Sequence, residues 1–287
     1  RTFSSRPWIF HPELPLYRYQ KPNVLSLIIF RQITFPKTAL LLASLDLPKN
    51  NLTYYRDELN KMVLDLGAVA RDLSHVHDMA VAVSNVLFGL HGYSGDTQTY
   101  DDVQNANLMR VIDRRKGLPV ALGILMIHMV RAQGWLITGV NFPGHFLLRI
   151  TSEGEQGIID PFGNEGLMTA NHIQNLVTQI LGPDARLQPH YLKSVSDRDI
   201  LVRLQNNIKL RALRADDPDR AVKVLESMCM IAPSNAAVAL EIAVLESDTG
   251  NFKRAIGRLS NFLECQQGHP DEAQIEDLIR ILKRRVN

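Results

Sequence analysis

The sequence predicts an α+β domain, helices plus a small antiparallel sheet, followed by an all-α array of helical repeats, and three observations carry this expectation. Between Pro119 and Gly134 the side chains of Val120, Leu122, Ile124, Leu125, Met126, Ile127, Met129 and Val130 surround one helix almost completely with apolar groups, which places it at the centre of a core. Short runs rich in Ile, Leu, Val and Phe follow, separated by turn residues, the pattern of a small sheet. Further on, Asp216 to Leu225 is echoed by Gly250 to Leu259 at an offset of 34 residues, the period of a stacked helix pair.

Residues 1–35 carry Arg1, Arg6, Arg18, Lys21 and Arg31 against the single acid Glu13, together with four prolines. The segment reads as an irregular extension, with an organelle transit peptide, which its basic, acid-poor composition resembles, as the alternative, and no fold is assigned to it. From residue 36 the pattern is helical. A short helix covers Thr38 to Ala43. Asn51 or Thr53 caps a second through about Arg71, on which Tyr54, Leu59, Met62, Leu66 and Val69 recur at three- and four-residue steps. A third runs from about His77 to Leu90, and Gly89, Gly92 and Gly95 then open a loop. Asn105 to Asp113 predicts a short helix stopped by Gly117. The central helix starts at Pro119, where a missing N–H is no loss, and stops at Gly134.

Strands are expected at Leu136 to Val140, Phe146 to Ile150 and Gly157 to Ile159, the last two as a hairpin, and Thr169 or Asn171 caps one more helix through Leu181. The first domain is thus drawn at residues 36–182. Gly182-Pro183 and Gln188-Pro189-His190 mark residues 183–197 as a linker. Residues 198–287 form the repeats, with a terminal helix from Asp271 to Arg285, and Cys229 and Cys265 fall on second helices as packing residues.

Composition removes several classes of function. The 32 basic and 30 acidic residues give a formal charge of +2, too balanced for a nucleic-acid binder. Two widely spaced cysteines supply neither a disulfide framework nor a zinc site, and imply a reducing, cytoplasmic setting. The apolar run from Val120 to Val130 is about half a membrane span and contains His128, so no membrane role is expected. His75, His77 and His91 lack metal-ligand spacing, and neither a metal nor a cofactor is expected.

The chemistry-bearing residues cluster between Asn105 and Asp160. A thiol-dependent acyl-transfer site needs a cysteine at a helix N-terminus, where the dipole lowers its pKa, a histidine on a neighbouring strand and a carboxylate one strand further to fix the tautomer. Here His145 and Asp160 occupy the strand positions, a papain-like layout, while Pro119 stands where the nucleophile belongs. Proline offers neither a nucleophile nor an N–H for an oxyanion hole, and no Ser, Thr or Cys occurs between Asn107 and Ile137.

Gly117, Arg131, Gly134, His145 and Asp160 match the spacing of a transglutaminase core. Together with Tyr100-Asp101-Asp102, Asn105, Arg114-Arg115, Pro143-Gly144-His145-Phe146, Asp160-Pro161-Phe162 and the 34-residue repeat, they make the chain resemble the SirB family of bacterial transglutaminase-like proteins that carry tetratricopeptide repeats. That resemblance covers residues 36–286. It implies a degenerate papain/transglutaminase-like fold in which His and Asp are retained and Pro replaces the nucleophile. Asn105-Ala106-Asn107 departs from the expected Asn-Ser pair.

The expected function is therefore that of a non-catalytic pseudoenzyme, an interaction or regulatory protein that binds a protein or peptide through its repeats. A cleft lined by Asn105, Arg114 or Arg115, Pro119, His145 and Asp160 suits a peptide end or an acidic small molecule. Two alternatives stand beside it. One is a hydrolase or amidase in which His145 and Asp160 act without a local cysteine. The other is a purely structural His/Asp pair with all binding in the repeats.

Overall fold

The computed structural model describes residues 35–47, 49–163 and 166–286, so the N-terminal extension lies outside it except for Phe35. Helix α1 (Lys37–Ser44) leads to α2 (Leu52–Val69), whose N-terminus is capped by Asn51, the side-chain oxygen accepting from the Thr53 N–H at 2.9 Å. Helix α3 (Val76–Ser84) continues as a widened π-type turn over Asn85–Leu90, where the sequence suggested one unbroken helix.

Strand β1 (Ser94–Gly95) pairs in parallel with β2 (Lys116–Gly117). Between them the expected helix from Asn105 divides into a 3₁₀ turn (Val103–Ala106) and α4 (Leu108–Arg114). Asn107 causes the break, because its side chain accepts from the Arg110 N–H at 3.2 Å and caps α4. Helix α4 ends at Arg115 in the left-handed region, φ 57°.

Helix α5 (Pro119–Ala132) is the axis of the molecule, with eleven of its fourteen residues buried. Pro119 sits at its first turn and Gly134 follows its end with φ 80°. Strands β3 (Leu136–Val140), β4 (Leu147–Ser152) and β5 (Glu155–Ile159) then form an antiparallel meander against it. Phe146, Leu148, Ile150 and Ile159 share a continuous core with α5. Helix α6 (Ala170–Leu181), capped by Thr169, covers part of the opposite face by packing Ile173 and Val177 on Val140, Phe142, Leu147 and Ile158.

The segment read as a linker is not one along its whole length. Pro189–Leu192 forms a 3₁₀ turn and Ser194–Val195 forms β6, which pairs antiparallel with Gly139 and Val140 and completes the sheet in the order β5-β4-β3-β6. Ser196 then opens α7 (Asp197–Arg214) with a reciprocal capping box to Asp199. Arg131, at the end of α5, donates two hydrogen bonds to Asp197, at 2.7 and 2.9 Å, and clamps the start of α7 to the core.

The remaining helices are α8 (Pro218–Ile231), α9 (Ala236–Asp248), α10 (Phe252–Cys265) and α11 (Glu272–Val286). Ile200, Leu201, Leu204 and Ile208 of α7 and Leu225, Met228 and Ile231 of α8 join the same core as α5. A second cluster, including Ala243, Ala255, Leu259, Phe262 and Ile275, holds α9 to α11 together. The boundary drawn at residue 198 therefore coincides with no gap in the packing. Cys229 is half-buried against the main core, whereas Cys265 is exposed, not the packing residue its position suggested. No helix among the described residues is long and apolar enough to cross a membrane.

Candidate functional site

Pro119 is buried in the first turn of α5. The residue before it, Leu118, donates its N–H to the Asn105 carbonyl at 3.0 Å, while Pro119 itself has no N–H to offer. One turn further along the same face is Gly123, where a Cβ would stand 2.5 Å from the Phe146 ring and 3.5 Å from Pro161. Phe146 follows His145, and Pro161 follows Asp160. The glycine thus lets the two strand ends that carry the polar residues lie directly on the N-terminal half of the helix.

There His145 Nε2 is 2.9 Å from Asp160 Oδ2. Asp160 Oδ1 accepts from the Phe162 N–H at 2.8 Å, so both carboxylate oxygens are held. The side chains are 19% and 24% exposed, so the pair is partly open to solvent. Among the described residues His145 Nδ1 has no hydrogen-bond partner. A neutral imidazole that donates from Nε2 to Asp160 would present a lone pair there.

The other sequence candidates divide into separate groups. Asn105 is fully buried; it accepts from Arg114 Nη1 at 2.8 Å and donates to the Thr99 carbonyl at 2.6 Å. Arg114 Nη2 lies 2.9 Å from Asp96, a carboxylate only 2% exposed that also accepts from the Thr99 hydroxyl at 2.6 Å. The Thr99 and Arg114 hydrogen bonds hold the Asp96 carboxyl well below the usual carboxylate range, against the opposing effect of burial. Asn105 and Arg114 thus fasten the loop from Asp96 to Asn105. Arg115 turns elsewhere, to Glu58 and to the Tyr93 hydroxyl at 2.6 Å, and burial pushes the Tyr93 phenol up to about 12.

The fastened loop nevertheless borders the His145–Asp160 pair. A Cβ at Gly95 would lie 2.5 Å from the Phe162 ring, and Tyr100 packs edge-on against Phe162 with centroids 5.9 Å apart. Helix α7 closes the far side with two arginines that sequence reasoning assigned no role. Arg211 donates to the carbonyls of Tyr100 (2.8 Å) and Asp101 (3.1 Å). Arg203 lies 5.6 Å over the Phe146 ring, and burial lowers the pKa of both guanidiniums. Their spacing, Arg203-Asn207-Arg211, is a helical stripe present in the sequence, but it falls within the stretch whose periodicity reads as helical repeats.

The two cysteines lie away from the His145–Asp160 pair, on α8 and α10. Burial pushes the Cys229 thiol up to about 11, and Cys265 is exposed at the C-terminal end of α10. His75, His77 and His91 face separate carboxylates, Glu155, Asp78 and Asp65, and no cluster of three or more metal-ligating groups occurs among the described residues.

The sequence profile of the transglutaminase-like superfamily matches residues 53–206, a span that runs from α2 through β6 into α7. The chain is 28% identical over 254 residues to a UPF0162 protein of Xylella fastidiosa, covering 88% of this chain and 89% of that one. It is 29% identical over 201 residues to a UPF0162 protein of Pseudomonas aeruginosa, covering 70% and 73%. A shorter similarity, 30% over 107 residues, links 34% of this chain to 17% of F-box only protein 21 of Mus musculus.

Proposed function

From the premise that this chain belongs to the transglutaminase-like superfamily, we propose that it is a pseudoenzyme: a binding protein that keeps the cleft of the fold without its covalent chemistry. The observation that carries this reading is Pro119 at the first turn of α5. A cysteine at that position would draw on the helix dipole and a neighbouring histidine to become a thiolate, and proline has no atom that can attack a carbonyl. The high pKa of the Cys229 thiol argues against a substitute nucleophile.

In this reading the retained His145–Asp160 pair shapes and polarises a ligand cleft, and α7 to α11 act as tetratricopeptide-like helix pairs of the SirB type that grip a protein or peptide partner. Two unpaired cysteines suit a reducing cytoplasmic setting. A hydrolase reading draws on one specific feature, the Nδ1 of His145, which has no hydrogen-bond partner among the described residues, lies opposite a carboxylate-held Nε2 and would activate water.

Turnover separates the two. Purified protein is incubated with a panel of peptide amides and esters beside His145→Ala. The pseudoenzyme reading expects no hydrolysis above buffer for either protein. Hydrolysis by the wild type that disappears in the variant would sink it.

A further inference from the structure

The arginines of α4 and α7 differ in what they hold. Arg114 is engaged by Asp96 and Asn105, Arg211 by the carbonyls of Tyr100 and Asp101, and Arg214 by Asp101 at 3.0 Å. Arg203 is different. Its half-buried guanidinium stacks over Phe146 and, among the described residues, makes no hydrogen bond and no ion pair. Its nitrogens nonetheless keep contact with solvent, since none is among the buried polar atoms left without a partner. A guanidinium drawn partly out of water with no anion beside it is unfavourable, and that cost is recovered when an anion arrives with two oxygens for the planar fork.

Resting on the binding reading above, we propose that Arg203 is the carboxylate anchor of this cleft and that its ligand is a peptide carboxylate with an apolar neighbour. The charge count favours a carboxylate over a phosphate. A lone guanidinium with no ion-pair partner among the described residues matches a single negative charge and leaves a dianion under-compensated. The apolar neighbour is accommodated by the Tyr100 ring, 45% exposed, which packs edge-on against Phe162. The carboxylate comes either from a peptide C-terminus or from an acidic side chain.

The test follows the His145 imidazole resonances by NMR, assigned with His145→Ala, during titration with three probes: N-acetyl-leucine, N-acetyl-leucinamide and N-acetyl-glutamic acid α-amide. The free acid is expected to move the resonances saturably, with an apparent Kd roughly ten-fold below that of the amide. Arg203→Met, which keeps a long side chain on Phe146 but removes the charge, is expected to abolish that difference. Arg203→Lys, which keeps the charge without the fork, should restore part of it. Tighter binding of the glutamyl probe than of N-acetyl-leucine supports the anchor and assigns it to acidic side chains; the reverse order supports it and assigns it to chain termini. Equal titration by acid and amide, no response to either carboxylate, or an unchanged preference in Arg203→Met with near-UV circular dichroism intact would overturn the proposal. Those failures are distinct from failure of the pseudoenzyme reading, which only turnover removes.

Discussion

At Asp96 a carboxylate 2% exposed is balanced by the Thr99 hydroxyl and the Arg114 guanidinium, and its pKa is depressed below the ordinary 3.8. A group depressed in the folded state stabilises fully above its unfolded pKa, and that stabilisation is lost as pH falls through the folded value. Asp96→Asn is therefore expected to lower the urea-unfolding free energy at pH 7 by about 3 kcal/mol, because Arg114 loses its counter-charge. The deficit should narrow at about pH 3, where the wild type begins to lose the same contribution. Equal deficits at both pH values would mean that the carboxylate charge is not what holds the loop. This network also marks a limit of reading residues from sequence. Asn105 and Arg114 were legible as polar residues near the site, but their partner Asp96 lies in a glycine-flanked loop with no periodicity, so their joint structural role became visible only in three dimensions.

Among the elements, the central helix was the most legible, because Pro119 and Gly134 act through backbone geometry that needs no tertiary partner. The meander of β3 to β5 was legible for a similar reason: the turn residues and β-branched side chains are local. Strand β6 was not. Two residues, Ser194 and Val195, carry no pattern, and what makes them a strand is the free edge of β3 more than fifty residues earlier in the chain. The widened turn at Asn85–Leu90 likewise leaves no trace in hydrophobic spacing. The contact between α5 and the strand ends yields a prediction at this scale. Gly123→Ala would place a methyl group 2.5 Å from the buried Phe146 ring, so it should cost about 1–3 kcal/mol and lower Tm while shifting the His145 resonances. An unchanged Tm would show that Phe146 can move aside freely.

For the whole molecule, the shared core of α5, α7 and α8 means that the α/β part does not end where its sheet-forming pattern ends. A chain stopped at residue 196 would expose the faces that meet Ile200, Leu201, Leu204 and Ile208, and it is expected to lose near-UV circular dichroism and a cooperative thermal transition. A chain stopped at residue 250, which keeps α7 to α9, should retain both. Cooperative unfolding of the shorter chain would refute the shared core as a folding requirement. The late arrival of β6 and α7 also has a temporal side. On the ribosome the greasy cylinder of α5 emerges some 80 residues before its last covering helix is complete, which at typical elongation rates leaves it incompletely shielded for several seconds. The nascent polypeptide therefore carries an apolar helix whose covering face is completed only when residues 197–214 have been added.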